Sequence, residues 1–413
     1  MQLSRNTKQV ILLYGATFGG MLLGLLNSVI NTRALPPELY GDFRYVTNLV
    51  QFVSSLLIFG YFTSGSRLLA ISSSEAARRR IRGILCVILA LTMLVLSVVM
   101  LVMHFCARGD AGSHLPVLYM IAALLGGNVI MLNYINNVAQ GDNQIGRISV
   151  ARLIPSALYC VVAFIVFKKF GATPELMLTL NFGITFVVLA AVVISTRPSF
   201  SNMRGSFHTL NKENRKYGFN VYLGSLANVS TAYIAGITLG QFCPDNSNVG
   251  YYALAVTISM PLTMLPSIIG TTFFKRFAHE DRMDPKVMKW SFLLTAATCV
   301  AYILVIRFVV DLLYDESYAV VATIAAWLSV GMSLHGLGDL FNRFLGAHGR
   351  GKELRNGAFL CGAVILVGSL VLVYFWHIKG AVITKIAGDM VYFATMYFYY
   401  RKFVTSNESV SAE

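Results

Sequence analysis

The feature that most constrains this chain is a series of about twelve continuous apolar runs, each long enough to cross a bilayer as an α-helix. Lipid offers no water to unpaired backbone groups, and the runs do not alternate apolar and polar residues, so helices must be the spanning element. The sequence therefore predicts an all-α polytopic membrane protein. The predicted spans lie near 10–30, 45–66, 83–105, 115–139, 150–167, 176–195, 218–242, 249–273, 290–312, 319–341, 357–377 and 381–400.

Basic residues predict how these spans are oriented. If the N-terminus is inside, most of the 33 lysines and arginines fall in short loops on the cytoplasmic side, which is the bias that sets orientation during insertion. Both termini are then expected to be cytoplasmic. In a soluble protein a net charge of +14 would suggest a nucleic-acid partner. Here it is charge that flanks spans near anionic headgroups, so no nucleic-acid partner is predicted.

The loops leave little room for catalysis. The longest extramembrane segment is 196–217, and the predicted external loops are shorter. A membrane glycan polymerase or ligase, which is one alternative function, would be expected to hold its substrate in a large external loop. The 6 cysteines show no metal-ligand spacing, and no hydrolytic motif occurs. We therefore predict no catalytic residues, no metal site and no cofactor.

A repeated spacing predicts two halves. Gly41 and Arg67 are 26 residues apart, as are Gly250 and Arg276, and each pair brackets the second predicted span of its half. This indicates a parallel repeat. The predicted domains are an N-terminal six-helix lobe at 1–200, a cytoplasmic connecting loop at 201–217, and a C-terminal six-helix lobe at 218–413 that ends in a short cytoplasmic tail.

Three segments carry a family resemblance: RALPPELYGDF at 33–43, NVGYYALA at 248–255 and NRFLGAHGR at 342–350. With them the chain resembles the O-antigen and polysaccharide flippases of the multidrug, oligosaccharidyl-lipid and polysaccharide exporter superfamily. The resemblance implies two pseudo-symmetric six-helix lobes around a central cavity that opens alternately to either side. It also implies transport of an undecaprenyl-diphosphate-linked oligosaccharide from the inner to the outer leaflet of the bacterial inner membrane, for lipopolysaccharide or related glycans.

The same resemblance implies partners and an alternative. A flippase is expected to work beside glycosyltransferases and a polysaccharide polymerase, which build and extend its cargo. Relatives in the superfamily export drugs in exchange for protons or sodium. A drug or cation antiporter on the same fold is therefore the alternative function.

A diphosphate cannot cross hydrocarbon unaided, so its carrier needs a polar, partly cationic lining, for which the forked arginine side chain is suited. Arg44, Asn48 and Gln51 share one face of the second span. The alternative interpretation is that amides join helices and that the arginines anchor loops or, for Arg307, pair with Asp311. The predicted substrate-binding residues are Arg33, Arg44, Asn48, Gln51, Arg67, Arg276 and Arg307.

Carboxylates inside spans are candidates for ion coupling, because a carboxylate in a low-dielectric site can change its charge during a transport cycle. The alternative is that each is neutralised one helical turn away, Asp389 by Lys385 and Asp339 by Arg343. The predicted ion-coupling residues are His335, Asp339, Lys385 and Asp389. Cationic candidates outnumber acidic ones, which favours an anionic substrate over a cationic drug.

Overall fold

The computed structural model of the chain describes residues 5–107 and 113–410, and these residues form helices and connecting turns without a strand. In the first half the helices are α1 (Arg5–Ala34), α2 (Pro37–Leu56), α3 (Tyr61–Ile71), α4 (Glu75–Ala107), α5 (Leu115–Leu125), α6 (Asn128–Gly141), α7 (Ile145–Phe170), α8 (Pro174–Ser195), α9 (Met203–Glu213) and α10 (Phe219–Phe242). The second half contains α11 (Ser247–Ser259), α12 (Pro261–Phe277), α13 (Pro285–Leu313), α14 (Val320–Ala347) and α15 (Gly351–Val410).

The prediction of an all-α polytopic membrane protein is confirmed. Among the described residues, eight helical segments are long and apolar enough to cross a membrane, and the bent pair α2 and α3 adds a ninth. The 60-residue helix α15 contains two of the predicted spans, because its backbone leaves the helical region at His377 (φ 49°, ψ −127°). The remaining predicted spans lie in α1 and α10.

The predicted span 45–66 is not one continuous helix. Helices α2 and α3 meet at a bend of 58°. The turn between them contains Phe59 and Gly60, whose φ angles are positive at 47° and 79°. A Cβ atom on Gly60 would lie 2.3 Å from the carbonyl oxygen of Gly218. Glycine is therefore required here both for its backbone conformation and for the close crossing of two chain segments.

The chain divides into an N-terminal unit, Met1–Leu226, and a C-terminal unit, Ala227–Glu413. The segment 201–217, expected to be a connecting loop, is largely helical: α9 is followed by a π-helical turn at Asn214–Gly218. This connecting segment belongs to the N-terminal unit. Its helical form has a physical cause, since Leu210 is fully buried on one side while polar residues occupy the other.

In the N-terminal unit one buried arginine joins three chain segments. The side chain of Arg82 is 5% exposed and donates to Asp142 at 2.8 Å, to Glu75 at 2.9 Å and to the backbone oxygen of Thr196 at 2.9 Å. These contacts link the start of α4 with the ends of α6 and α8. Because its partners satisfy the charge, Arg82 acts as a structural residue.

The C-terminal unit is organised around a cluster of aromatic side chains. Phe341 and Phe344 of α14 each lie 5.0 Å, centroid to centroid, from Tyr400 of α15, and Phe277 of α12 packs on Phe344 at 5.5 Å. Helix α13 is different, with 17% of its most apolar stretch buried. This exposure fits a helix that faces lipid. The aromatic cluster therefore holds α14 against α15, where the predicted ion-coupling residues lie.

Candidate functional site

A cluster of polar side chains around one buried carboxylate lies in the C-terminal unit, between α14 and α15. The carboxylate of Asp389 is 0% exposed. Its Oδ1 accepts a hydrogen bond from the ammonium of Lys385 at 2.6 Å and another from the Nδ1–H of His335 at 2.9 Å. Its second oxygen, Oδ2, is buried and has no hydrogen-bond partner among the described residues. The site thus holds a charged, stabilised carboxylate with one oxygen that can still accept a hydrogen bond.

The local sequence explains how this group assembles. Lys385 precedes Asp389 by one turn of α15, so the two side chains meet on one helix face. His335 comes from α14, and a small residue on that helix allows the close approach. A Cβ atom on Gly331 would lie 3.0 Å from the Cα of Ile386 and 3.1 Å from Asp389 Oδ2. Glycine at 331 therefore lets the two backbones approach beside the carboxylate.

A tyrosine connects Asp339 to the same group. The hydroxyl of Tyr392 donates to Asp339 Oδ1 at 2.9 Å and accepts from Asn342 Nδ2 at 3.0 Å. The ring of Tyr392 also stacks on His335, with ring centroids 4.6 Å apart. All four predicted ion-coupling residues are therefore brought together, and the partner of Asp339 is Tyr392.

Tyr392 and Asn342 did not appear among the residues predicted from the sequence. Two signals were available: Tyr392 lies three residues after Asp389, and Asn342 opens the NRFLGAHGR segment. Neither signal indicates that the tyrosine ring reaches across to α14. We refer to the six residues together as the carboxylate cluster: His335, Asp339, Asn342, Lys385, Asp389 and Tyr392.

The N-terminal unit carries a different charge inside α2. Arg44 is half-buried, and its Nε atom is buried without a hydrogen-bond partner among the described residues. One turn later Asn48 is 9% exposed, and Gln51 is half-buried on the same helix. A buried donor without a partner costs about 1–3 kcal/mol, and more when it is charged. This part of α2 is therefore suited to receive an acceptor, above all an anion.

The two arginines of the predicted repeat both have carboxylate partners. Arg67 of α3 lies 2.6 Å from Glu213 and stacks over the ring of Tyr217 at 5.1 Å. Arg276 of α12 lies 2.6 Å from Glu280 and 3.1 Å from Asp284.

The pKa of Asp284 shows the effect of its pairing with Arg276. The backbone N–H of Lys286 and then the Arg276 guanidinium lower this pKa, against an opposing effect of desolvation. A diphosphate that binds either Arg67 or Arg276 must compete with a carboxylate.

The last two arginines predicted to bind substrate lie at exposed positions. Arg33 occupies the last turn of α1 and is exposed. Arg307 of α13 is 76% exposed and lies 3.7 Å from Asp311. This geometry fits the alternative interpretation of Arg307, a charge paired near the membrane surface. Five predicted substrate-binding residues belong to the N-terminal unit and two to the C-terminal unit.

The described part of the chain, residues 5–107 and 113–410, holds no side-chain arrangement typical of a metal site. In those residues no three His, Cys, Asp or Glu side chains are placed to hold a metal ion together. The carboxylate cluster contributes two acidic side chains, and the ammonium of Lys385 is already bound to Asp389 Oδ1. The arrangement is suited to binding a proton at Asp389 Oδ2, or a monovalent cation in place of the ammonium at Oδ1.

Comparison with solved structures shows the fold. The lipid II flippase MurJ in an inward closed conformation matches with a TM-score of 0.72 at 13% identity, covering 95% of this chain and 87% of that one. An inward-facing multidrug resistance transporter of the MATE family, from the MOP superfamily, matches with a TM-score of 0.68 at 16% identity, covering 95% and 96%. A MOP superfamily transporter from Pyrococcus furiosus, described as having a binding pocket of reversed polarity, matches with a TM-score of 0.54 at 14% identity, covering 97% and 96%.

The sequence itself identifies the family. A search of curated proteins gave no significant match. The family model described as polysaccharide biosynthesis protein matches residues 7–279, which is more than half of the chain. The match includes α2 with Arg44 and the connecting segment, and it confirms at the family level the resemblance carried by the motifs at 33–43 and 248–255. The chain is therefore a multi-pass membrane protein that belongs to the polysaccharide biosynthesis protein family.

Proposed function

We propose that this protein is a flippase that moves an undecaprenyl-diphosphate-linked oligosaccharide, an O-antigen or related repeat unit, from the inner to the outer leaflet of the bacterial inner membrane by alternating access. The observation that carries the proposal is Arg44. It places a cationic side chain inside a membrane-spanning helix, with a buried Nε–H that has no partner among the described residues. Membership of a polysaccharide biosynthesis family and the fold shared with a lipid II flippase support the same substrate class.

The charge of Arg44 favours an anionic cargo. Burying a charged N–H donor without a partner is costly, and a diphosphate that accepts from the Arg44 guanidinium removes the cost while gaining charge-assisted hydrogen bonds. Asn48, one turn away, offers an amide to sugar hydroxyls or phosphate oxygens. Arginine is preferable to lysine here, because its fork contacts two oxygens at once and its charge does not depend on pH.

We further propose that the carboxylate cluster couples transport to the movement of a cation. Asp389 Oδ2 is the atom that would accept a proton, since it is buried and has no partner among the described residues. Protonation would weaken the attraction of the carboxylate for Lys385 and His335 and so loosen the contact between α14 and α15. A bound sodium ion would act in the same way by displacing the ammonium from Oδ1.

The drug or cation antiporter is the second candidate, and the MATE family match favours it. A cationic drug needs an accessible carboxylate. Asp389 already binds Lys385 and His335, and Asp339 binds Tyr392. A cationic cargo would have to displace these donors, whereas an anionic cargo meets the Arg44 Nε–H, which has no partner in the described part of the chain. The charges therefore favour the flippase.

Partners follow from the proposed cargo. The lipid-linked oligosaccharide must be built by glycosyltransferases on the cytoplasmic side and extended by a polymerase after it has crossed. A polymerase or ligase activity of this chain itself is disfavoured by its short external connections. One example is the connection between α13 and α14, which contains the 3₁₀ turn Glu316–Tyr318. Orientation remains part of the proposal, with both termini in the cytoplasm.

The test is complementation of a bacterial strain whose own O-antigen flippase has been deleted. The wild-type chain is expected to restore surface glycan. Arg44→Ala should reduce the rate of glycan display by about ten- to a hundredfold, and Arg44→Lys should recover part of it. Arg401→Ala, which removes an exposed arginine from α15, is the matched control and should be neutral.

Membrane levels of each variant are checked by immunoblot. Normal glycan display by Arg44→Ala at normal levels would show that the guanidinium does not bind the cargo. If the wild-type chain instead raises resistance to cationic drugs without restoring glycan, the antiporter is the correct function.

A further inference from the structure

The connecting segment contains a second cationic site that lies outside the residues proposed above to bind substrate. A pocket of about 530 Å³ is lined by His208, Asn211, Lys212, Arg215 and Lys216. The four titratable residues among them are all exposed, and none is acidic. From this pocket we infer that the connecting segment binds the diphosphate of the lipid-linked substrate at the membrane surface, before the substrate enters the transport path. This inference rests on the proposed flippase function.

Secondary structure places the basic residues together. His208 and Lys212 are one turn apart near the end of α9, and the chain then continues as a π-helical turn over Asn214–Gly218. Arg215 and Lys216 follow Lys212 by three and four residues, a spacing that places side chains on one helix face, and they line the same pocket as Lys212. This helical spacing concentrates positive charge on one side of the segment.

The opposite side of the segment is fastened to α3 and to the bend before it. Asn214 accepts from Ser64 at 3.0 Å and donates to the backbone oxygen of Phe59 at 3.1 Å. Tyr222 donates to the backbone oxygen of Leu56 at 2.7 Å. These contacts hold the pocket on a fixed support, so its side chains are presented in a defined direction.

The acidic residue of α9 does not neutralise the pocket. Glu213 lies between Lys212 and Asn214 in the sequence, but its carboxylate is bound to Arg67 at 2.6 Å. Arg67 in turn stacks over Tyr217. The carboxylate of Glu213 therefore pairs with Arg67 on the side that contacts α3, while Lys212, Arg215 and Lys216 are available to bind an anionic ligand.

The surroundings indicate a lipid headgroup region. Phe200, Phe207 and Phe219, which are close in sequence to the lining residues, are all exposed. Exposed aromatic residues combined with lysine and arginine are typical of helices that lie in the membrane interface, where headgroup phosphates are found. The segment also lies on the side predicted to be cytoplasmic, where the lipid-linked cargo is made. A free phosphate ion would make no favourable contact with the exposed aromatic side chains.

The number of cations favours a diphosphate over a phosphodiester. Two lysines and one arginine converge on one cavity, with His208 as a further donor. A phosphodiester headgroup carries one negative charge, whereas a lipid diphosphate carries at least two and offers more acceptor oxygens. Multiple charge-assisted hydrogen bonds therefore select the diphosphate.

The experiment is a lysine footprint on the full-length protein in nanodiscs of phosphatidylcholine. Acetylation of Lys212 and Lys216 by an N-hydroxysuccinimide ester is followed by peptide mass spectrometry, with exposed Lys402 as the internal control. Farnesyl diphosphate should protect both lysines and leave Lys402 unaffected, and farnesol should protect none. Arg215→Gln should weaken the protection of Lys212 about tenfold. Arg204→Gln, an equal loss of charge elsewhere on α9, should leave it unchanged.

Two results would overturn the inference. One is acetylation of Lys212 and Lys216 that is unchanged by farnesyl diphosphate. The other is equal protection by phosphatidylglycerol, which would make the segment a general anionic-lipid contact. Both results are distinguishable from failure of the proposed function. A wild-type chain that restores surface glycan but shows no footprint remains a flippase without this pocket, whereas a footprint without glycan display leaves the pocket and rejects the flippase.

Discussion

Arg44 in the N-terminal unit and Asp389 in the C-terminal unit are charged residues inside membrane-spanning helices, but their surroundings differ. Asp389 is fully buried and receives hydrogen bonds from Lys385 and His335. Arg44 is half-buried, with an N–H that finds no partner in the described residues. The paired charge of Asp389 contributes to folding, and the Nε–H of Arg44 is available to a ligand. The same class of substitution should therefore affect stability in one unit and transport in the other.

The largest expected effect is that of Asp389→Ala. Removing the carboxylate leaves the Lys385 ammonium, on a side chain that is 20% exposed, without its partner, which should lower the free energy of unfolding by about 3–5 kcal/mol. The measurement is chemical or thermal unfolding of the purified protein in detergent or bicelles. Asp311→Ala is the matched control, because Asp311 is more than half exposed and lies 3.7 Å from an exposed arginine on α13.

A double variant sharpens this prediction. Lys385→Ala combined with Asp389→Ala removes both charges and should be more stable than Asp389→Ala alone, since no uncompensated ion remains. Equal loss of stability in the single and double variants would mean that the ion pair does not explain the cost. The cause would then be the lost packing between α14 and α15.

The next effect has the opposite sign for stability. Arg44→Met keeps much of the aliphatic stem and removes a buried N–H for which the described residues offer no acceptor, so the free energy of unfolding should stay the same or rise by about 1 kcal/mol. Surface-glycan display should fall strongly in the same variant. A loss of stability comparable to that of Asp389→Ala would remove the contrast between the two units.

A smaller effect is expected at the backbone contact that positions Asp389. Gly331→Ala places a methyl group 3.0 Å from the Cα of Ile386 and 3.1 Å from Asp389 Oδ2, so α14 and α15 must separate slightly. We expect a destabilisation of about 1–3 kcal/mol, as for other overpacked contacts. Unfolding in detergent provides the measurement. Gly183→Ala is the control, because the nearest atom to a Cβ there lies 3.8 Å away; equal stability losses in the two variants would refute the close contact at 331.

The smallest effect is expected for Arg67→Ala. The pair of Arg67 with Glu213 is partly exposed, and such pairs contribute about 0–1 kcal/mol. Unfolding should therefore change little, while the released Glu213 carboxylate should weaken lipid-diphosphate binding by the neighbouring pocket. The lysine footprint described above measures the second effect. Unchanged protection in Arg67→Ala would show that the pairing of Glu213 does not affect the pocket.

Much of this fold is readable from the sequence, because runs of about 20 apolar residues have one stable arrangement in a bilayer. The link between Lys385 and Asp389 is also readable, since their separation of one helical turn is a local property. The contact of His335 with Asp389 is not, because it joins residues 54 positions apart on different helices.

Two further features escaped sequence reasoning for the same reason. Arg67 meets Glu213 across 146 residues, so its partner depends on how the connecting segment docks. The bend at Phe59 and Gly60 depends on the crossing with Gly218, and apolar residues on both sides hide it. Hydropathy predicts where helices cross the membrane, but pairings between helices and breaks inside spans require the tertiary structure.

The central claim is that the chain moves a lipid-linked diphosphate across the bilayer with the help of Arg44, and the most direct measurement is flipping by purified protein in proteoliposomes. A fluorescent undecaprenyl-diphosphate-linked saccharide is incorporated in both leaflets, and its accessibility to a membrane-impermeant quencher is followed over time. The account predicts that wild-type protein makes the inner-leaflet pool accessible and that Arg44→Met does so about ten- to a hundredfold more slowly. Equal rates for wild-type protein, Arg44→Met and protein-free liposomes would contradict it.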